Sequence, residues 1–386
     1  MPDSGADYGP DFGFGLYLHW PFCTRICPYC DFNVYAAKAR DTEPLIAAMI
    51  ADLDAHRRRL PDHPALDSVF FGGGTPSLLS DRQMAQILDK VNDAFGIKPD
   101  AEITLEANPN DVVAATPSNW AAAGINRVSI GVQSLQSQAL AFLGRDHDSA
   151  AARQAIADVQ VVFDNHSVDL IYALPGQSPD GWARELREAI ALGAPHLSLY
   201  ELTIEERTAF GKRAARGDLV PMEDDDQADL YEVTQSICDE AGLPAYEVSN
   251  HARAPEYESR HNHIYWASGD WIGIGPGAHG RLTINDHRFA TEAARRPADY
   301  QSDPGPTETK LSRTDTAREF LAMALRPVSG LDLERFEHLF GAPAPAVVLN
   351  DLVANGFATV ETKTLKLTTT GRLVADYIAA QLTPHA

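Results

Sequence analysis

Short apolar or β-branched runs alternate, in the first half of the chain, with longer stretches whose apolar positions recur at helical spacing. The runs at 16–20, 68–71, 102–105, 127–132, 168–172 and 196–200 predict strands. The stretches at 43–60, 82–95, 117–123, 149–163 and 179–192 predict the intervening helices. Strand, helix, strand in this rhythm implies a parallel sheet with right-handed crossovers. Six such units fit a partial barrel or an open doubly wound sheet.

The rhythm breaks after Thr203. An acidic run at 223–226 leads into a helix through Ala241, where negative charge suits the helix start. Residues 246–281 are rich in Gly, His and aromatics, and 297–309 reads as a proline-punctuated linker. From Thr314 the pattern gives a helix through Leu325, helices near 331–340 and through Leu352, a Thr-rich hairpin at 358–367, and a last helix from Gly371. That order resembles a winged helix, read here as a packing or docking unit. The expected organisation is a disordered lead-in at 1–14, an α/β core at 15–245, a motif segment with linker at 246–310, and a small α+β domain at 311–386.

Composition narrows the function classes. Hydrophobic residues at 44% permit a sizeable core, and a formal charge of −22 argues against a nucleic-acid partner. No apolar run is long enough to span a bilayer, and the N-terminus lacks the basic and apolar regions of a secretory signal, so the expected location is the cytoplasm. There are 4 cysteines, and three crowd into one short segment instead of spreading as a disulfide framework would. Cys238, in a helical stretch, is expected as a buried core thiol.

The crowded three are Cys23, Cys27 and Cys30, spaced Cys-x3-Cys-x2-Cys. Three thiolates on one loop can hold three corners of a cubane iron–sulfur cluster, leaving the fourth iron open to the amine and carboxylate of a small molecule. Zinc is the competing reading; it needs a fourth ligand, and His19 is near in sequence, although strand geometry puts it behind the loop. Other polar residues gather where predicted strands end, which is where parallel α/β folds bind ligands. Gly72-Gly73-Gly74-Thr75 follows the second strand and lets a ligand approach backbone closely. Glu106 ends the third strand and can accept from an ammonium or hydroxyl, or cap a helix. Gln133 and Arg145 can reach a carboxylate, though Arg145 also reads as a surface charge. Asp169 is a carboxylate in an apolar strand and is expected to pair with a ligand or an arginine, against the plainer reading of an exposed edge. In His261-Asn262-His263-Ile264-Tyr265-Trp266, imidazole and aromatic rings could ligate and pack on a haem, against the plainer reading of a polar loop with Trp266 in the core.

The cysteine spacing resembles the signature of the radical S-adenosylmethionine (SAM) superfamily. The phrases at 17–32, 72–76, 131–134, 169–177 and 261–266 resemble the branch that holds oxygen-independent coproporphyrinogen III oxidase and the HemW-like haem chaperones. The resemblance implies a partial (β/α)6 barrel with a winged-helix-like C-terminal domain, a [4Fe–4S] cluster on the three cysteines, and SAM. By position it implies nucleotide contacts at Tyr17, Tyr29, Gly73, Gly74, Thr75, Glu106, Gln133, Arg145 and Asp169. The oxidase is similar to Cys-x3-Cys-x2-Cys-x-Cys, whereas Phe32 stands at the fourth position here. The phrase His-Asn-x-x-Tyr-Trp looks like the haem phrase of the chaperones, at His261, Asn262, Tyr265 and Trp266. The resemblance therefore implies a chaperone that binds haem and passes it to client haem proteins, respiratory and membrane-associated ones among them, with a homodimer as a further implication. Oxidative decarboxylation of coproporphyrinogen III is the alternative. The glycine-rich segment at 273–280 is expected to close one side of the pocket.

Overall fold

In the computed structural model, which describes residues 7–37 and 41–384, the alternation of the first half becomes one parallel sheet. Its strands are β1 (Phe14–Trp20), β2 (Leu66–Gly73), β3 (Ile97–Ala107), β4 (Arg127–Gln133), β5 (His166–Tyr172) and β6 (His196–Glu201), each parallel to the next. Helices α1 (Glu43–Arg59), α2 (Asp81–Phe95), α3 (Thr116–Ala122), α4 (Ser149–Gln160) and α5 (Pro179–Ala191) provide the crossovers. The side-chain period of two sorts every strand. Leu16, Leu18, Val69, Phe71, Val128, Ile130, Val168 and Leu170 face the helices and form the buried core. The positions between them face a cavity. Helix α2 shows how the local code works: Ser80 and Gln83 form a capping box, and Met84, Ile87, Leu88 and Val91 make the buried stripe. The acidic run does start a helix, α6 (Asp224–Glu240), and Cys238 is buried in it.

The sheet continues beyond the six predicted strands. β7 (Asn250–Ala252) adds antiparallel to β6. After helix α7 (Arg260–Trp266), β8 (Asp270–Ile274) lies parallel to β1 on its other side. The antiparallel strands β9 (His279–Ile284), β10 (His287–Ala293) and β11 (Pro306–Lys310) complete the order β11-β10-β9-β8-β1-β2-β3-β4-β5-β6-β7. Residues 297–309 are thus not a linker. They form helix α8 (Pro297–Ser302) and most of the edge strand, where a proline at the strand start lacks only a donor that an edge can spare. The buried Tyr300 hydroxyl ties α8 to α1 by donating to Asp52 at 2.7 Å.

The lead-in also departs from expectation. Residues 1–6 lie outside the described residues, but 7–14 are packed. The Gly9 amide donates to the Ser268 carbonyl at 2.9 Å, and the Arg335 guanidinium sits 3.9 Å over the Phe12 ring. That cation–π contact gives the aromatic ring a partner that the Gly-, Asp- and Pro-rich composition did not suggest.

The C-terminal unit comprises α9 (Arg313–Ala324), β12 (Leu331–Asp332), α10 (Leu333–Phe340), α11 (Ala346–Ala354), β13 (Ala358–Glu361), β14 (Thr364–Leu367) and α12 (Ala375–Leu382). Its strands pair in the order β12-β14-β13 around its own core of Phe320, Leu331, Phe336, Leu365 and Ile378. It touches the larger unit at α7, where Arg335 donates to the Ala267 carbonyl at 2.9 Å. Among the described residues, no helix is long and apolar enough to cross a membrane.

Candidate functional site

The cysteine loop leaves the end of β1 and is tied at its base by a two-residue parallel ladder, Phe22–Cys23 with Tyr35–Ala36. Within it the Cys30 amide donates to the Cys27 carbonyl at 3.2 Å. The loop is braced from both sides. The Phe210 amide donates to the Pro28 carbonyl at 2.9 Å, and Asn33 donates to the Pro276 carbonyl at 2.8 Å. That second contact places the glycine-rich segment at 273–280 behind the loop, so it buttresses the loop and does not close the pocket. His19 is behind it as well: its ring nitrogens meet the Tyr17 hydroxyl and the Asn33 carbonyl, each at 3.0 Å.

All three thiols open into one cavity of about 640 Å³. Every residue expected to hold the cluster, the nucleotide or haem lines it except Trp266. Gly73 has φ +106, and a Cβ on Gly74 would stand 2.7 Å from the Phe22 carbonyl oxygen and 3.0 Å from Cys23 Sγ, so only glycine lets the strand end close against the loop. Burial pushes the Cys23 thiol up, against the Thr75 hydroxyl, and pushes Cys30 up to about 11. Arg145 reaches Cys27 Sγ at 3.4 Å, is fixed by the Gly131 carbonyl at 2.9 Å and by Asn108, and is no surface charge. Burial alone would lower its guanidinium, but Tyr29 and Cys27 outweigh that and hold it above its ordinary value.

Deeper in, Glu106 accepts from the Gly73 amide at 3.2 Å. Burial, reinforced by Asp169, raises its carboxyl to about 8. It therefore holds its proton at neutral pH until a cation or donor arrives. Asp169 is partnered by serines: Ser129 donates at 2.8 Å and Ser167 at 2.8 Å, and burial raises its carboxyl despite them. Gln133 turns into the cavity at a bulge where β4 slips register against β5, with the left-handed φ of 65. A non-glycine residue held there is strained, a feature concentrated at binding sites.

The segment at 261–266 is helix α7, which plugs the deep end of the cavity. Ser259 caps it, its Oγ accepting from the Asn262 amide at 3.4 Å. His261 is buried and stacks on Phe70 with ring centroids 5.0 Å apart. Its Nδ1 meets Ser68 Oγ at 2.7 Å and its Nε2 meets the Tyr265 hydroxyl at 2.6 Å. Burial, helped by Arg127, drives its pKa down to about 3, so the ring is neutral. Asn262 and Tyr265 line the same chamber. Trp266 points away and packs with Tyr246 and Ala252.

Several residues were missed in the sequence: Arg127, Ser129, His196 and Ser198, which line the cavity, and Ser68, Glu102 and Ser167, which hold His261 and Asp169 in place. Their signal was the period-two alternation itself. Glu102-x-Thr104-x-Glu106 and Arg127-x-Ser129-x-Gly131-x-Gln133 carry polar residues two steps back from the ones chosen at strand ends. In a sheet with helices on its other face, such a row must face an interior chamber.

The residues present fit an iron–sulfur cubane with an attached amino acid. Three thiols converge on a cavity that also holds a cation beside Cys27 and a carboxyl set to receive an ammonium, and Arg145 Nε is buried with no hydrogen-bond partner among the described residues. No three or more His, Cys, Asp or Glu side chains among those residues are arranged to hold a single metal ion.

Comparison with known proteins agrees. The Radical SAM superfamily model matches residues 17–189, and the HemN C-terminal domain model matches 311–374. The solved structure of coproporphyrinogen III oxidase (HemN) from Escherichia coli, described as a radical SAM enzyme, has a TM-score of 0.79 over 97% of this chain and 91% of that one. At 21% identity this likeness is one of fold. The haem chaperone HemW of Mycobacterium tuberculosis (strain H37Rv) is 37% identical over 97% of this chain and 95% of its own length. HemW of E. coli K12 is 36% identical over 93% and 95%. The chain belongs to the HemW family of radical SAM proteins. A mitochondrial protein of Bos taurus, radical S-adenosyl methionine domain-containing protein 1, is also similar, 33% identical over 98% of this chain and 90% of that one. Membership of the HemW family implies a [4Fe–4S] cluster and SAM.

Proposed function

We propose that this protein binds haem and transfers it to client haem proteins, with a [4Fe–4S] cluster and SAM held in the same cavity. One observation carries the reading: α7 places His261 and Tyr265 in the chamber that the three cysteines open into. Cys23, Cys27 and Cys30 take the cluster, and Arg145, Glu106, Gln133 and the Gly73–Gly74 backbone take the nucleotide's charged and polar groups. Tyr17, Tyr29, Thr75 and Asp169 frame it. A cluster held there would supply one-electron reduction of the sulfonium; the part of these residues is to position the nucleotide and exclude water.

His261 is built to act as an iron ligand. Nε2 meets the Tyr265 hydroxyl and Nδ1 meets Ser68 Oγ; in the tautomer that carries its proton on Nδ1, Tyr265 donates to Nε2 and Ser68 Oγ accepts from Nδ1. Exchange of the Tyr265 hydroxyl for iron would leave a neutral imidazole whose far nitrogen still donates to an oxygen, the usual support for a metal-bound histidine. Asn262 sits beside it at the cavity wall. Trp266 holds α7 in place from behind, and this revises the direct haem contact that the motif suggested.

Decarboxylation of coproporphyrinogen III is disfavoured at Phe32, whose ring is 63% exposed where the oxidase carries a cysteine. The test is anaerobic cluster reconstitution followed by SAM, reductant and, in turn, haem and coproporphyrinogen III. Stable haem binding, transfer to an apo-haem protein, and no decarboxylated product are expected. Decarboxylated product would contradict the reading.

A further inference from the structure

Arg127 is a buried cation that the nucleotide reading does not use. It opens β4, and its side chain is 3% exposed. Its Nε is buried with no hydrogen-bond partner among the described residues. Its ion-pair partner Glu102 stands 3.8 Å away, beyond hydrogen-bond reach. The reason lies in α7. Glu102 Oε2 accepts from the Arg260 amide at 3.1 Å, and Oε1 accepts from the His261 amide at 3.3 Å. Both oxygens are thus pulled toward the helix start and away from the guanidinium.

A guanidinium offers five N–H donors in a fixed fork and stays charged at any physiological pH. Shielded from water, such a fork costs free energy until it meets an acceptor. Arg127 and His261 both line the cavity, and both face Glu102. Of the other carboxylates lining the chamber, Asp169 is committed to Ser129 and Ser167, Glu106 to the Gly73 amide and Glu201 to the Tyr172 hydroxyl, while Asp31 and Glu205 are exposed to solvent. A methionyl carboxylate has its own cation in Arg145 at the cavity mouth, beside Cys27. Arg127 is therefore a second cation, suited to a second carboxylate and set one residue pair away from the proposed iron ligand through Glu102. Haem carries propionates along one edge on flexible two-carbon arms, which lets a carboxylate reach the cavity wall while the ring faces His261.

Building on the haem-binding reading above, we propose that Arg127 anchors a propionate carboxylate of haem at the deep end of the cavity. The pairing would be charge-assisted and bidentate, the geometry that favours Arg over Lys.

The test titrates haem and haem dimethyl ester, in which the propionates are blocked, into the anaerobically reconstituted full chain and follows the Soret band. The unaltered chain should bind the ester roughly tenfold to a hundredfold more weakly than haem, as expected for loss of one charged hydrogen-bonding pair. Arg127→Gln should weaken haem by the same factor and leave the ester unaffected. Arg127→Lys should fall between, since it keeps the charge and loses the fork. Equal binding of haem and ester by the unaltered chain would overturn the proposal, and this arm does not depend on any variant folding. So would wild-type haem affinity in a folded Arg127→Gln. A variant that loses SAM affinity while keeping haem affinity would assign the fork to the nucleotide's carboxylate and overturn it too. If the unaltered chain binds no haem at all, the haem-binding reading fails first and takes the proposal with it.

Discussion

Glu102 and His261 are joined across the barrel: the Glu102 carboxylate, on β3, accepts the His261 backbone amide at 3.3 Å and so fixes where the imidazole enters the cavity. The same carboxylate faces Arg127, so strand, helix and cation form one buried unit. Removal of one member of such a unit strands the other. Glu102→Ala should lower stability by about 3–5 kcal/mol, measured by chemical denaturation, because a guanidinium is left buried without its counter-charge. Glu102→Leu should be no better tolerated, since the loss is of charge and acceptors and not of volume. A loss below about 1 kcal/mol in both would show that the pair is not structural.

Gly74 and Cys23 meet in a way that leaves no room for a side chain. Gly74→Ala would place a methyl 2.7 Å from the Phe22 carbonyl oxygen and 3.0 Å from Cys23 Sγ. The loop must shift, and the expected outcome is a reconstituted chain that holds less iron while its far-ultraviolet circular dichroism is unchanged. Full iron occupancy would show that the loop is more yielding than its packing implies.

Glu106 and His261 give stability terms of opposite sign with pH. The Glu106 carboxyl titrates near 8 in the folded protein against 4.5 when exposed, so the folded state binds the extra proton in that window. Stability from this group falls as pH rises through 4.5 to 8. Glu106→Gln removes the dependence and should gain on the unaltered chain between pH 5 and 8. His261 runs the other way. It stays neutral down to about 3 when folded and protonates near 6.5 when unfolded, so its share of stability is intact above 6.5 and is lost as pH falls toward 3. His251, held near 4 by burial, adds to the same acid limb. Thermal midpoints across pH for the chain and for Glu106→Gln check both signs.

Trp266 and His261 separate packing from ligand binding. Trp266→Ala should cost about 3 kcal/mol by emptying the small core with Tyr246 and Ala252, while the variant that remains folded binds haem as before. His261→Ala should do the reverse, removing haem binding at little cost beyond its own contacts. Equal loss of haem affinity in both would return Trp266 to the binding surface.

The parallel half of the fold was legible because each strand there has one face sealed by a helix, which leaves apolar residues at every second position, such as Val128, Ile130 and Val132 or Val168 and Leu170. The site's mouth was legible because cysteine spacing, the glycine run and Glu106 are unusual residues at strand ends. The antiparallel extension was not. β9 and β10 contain His, Arg, Thr and Glu because they are exposed on one side, and their alternation is hard to distinguish from loop. The polar wall of the chamber was missed for a related reason. Arg127, Ser129 and Ser198 look like solvent-facing positions of strands, and only the curvature of the sheet turns that face inward. Asp169 was expected to need an arginine or a ligand, and two serine hydroxyls satisfy it at close range instead.

The most direct measurement is the metal content and redox spectrum of the chain purified without oxygen. The expected result is a brown protein with about four irons per chain, a reduced-cluster paramagnetic signal that shifts when SAM is added, and loss of both in Cys23→Ser. A colourless protein carrying zinc on those thiols, or a cluster signal indifferent to SAM, would contradict it.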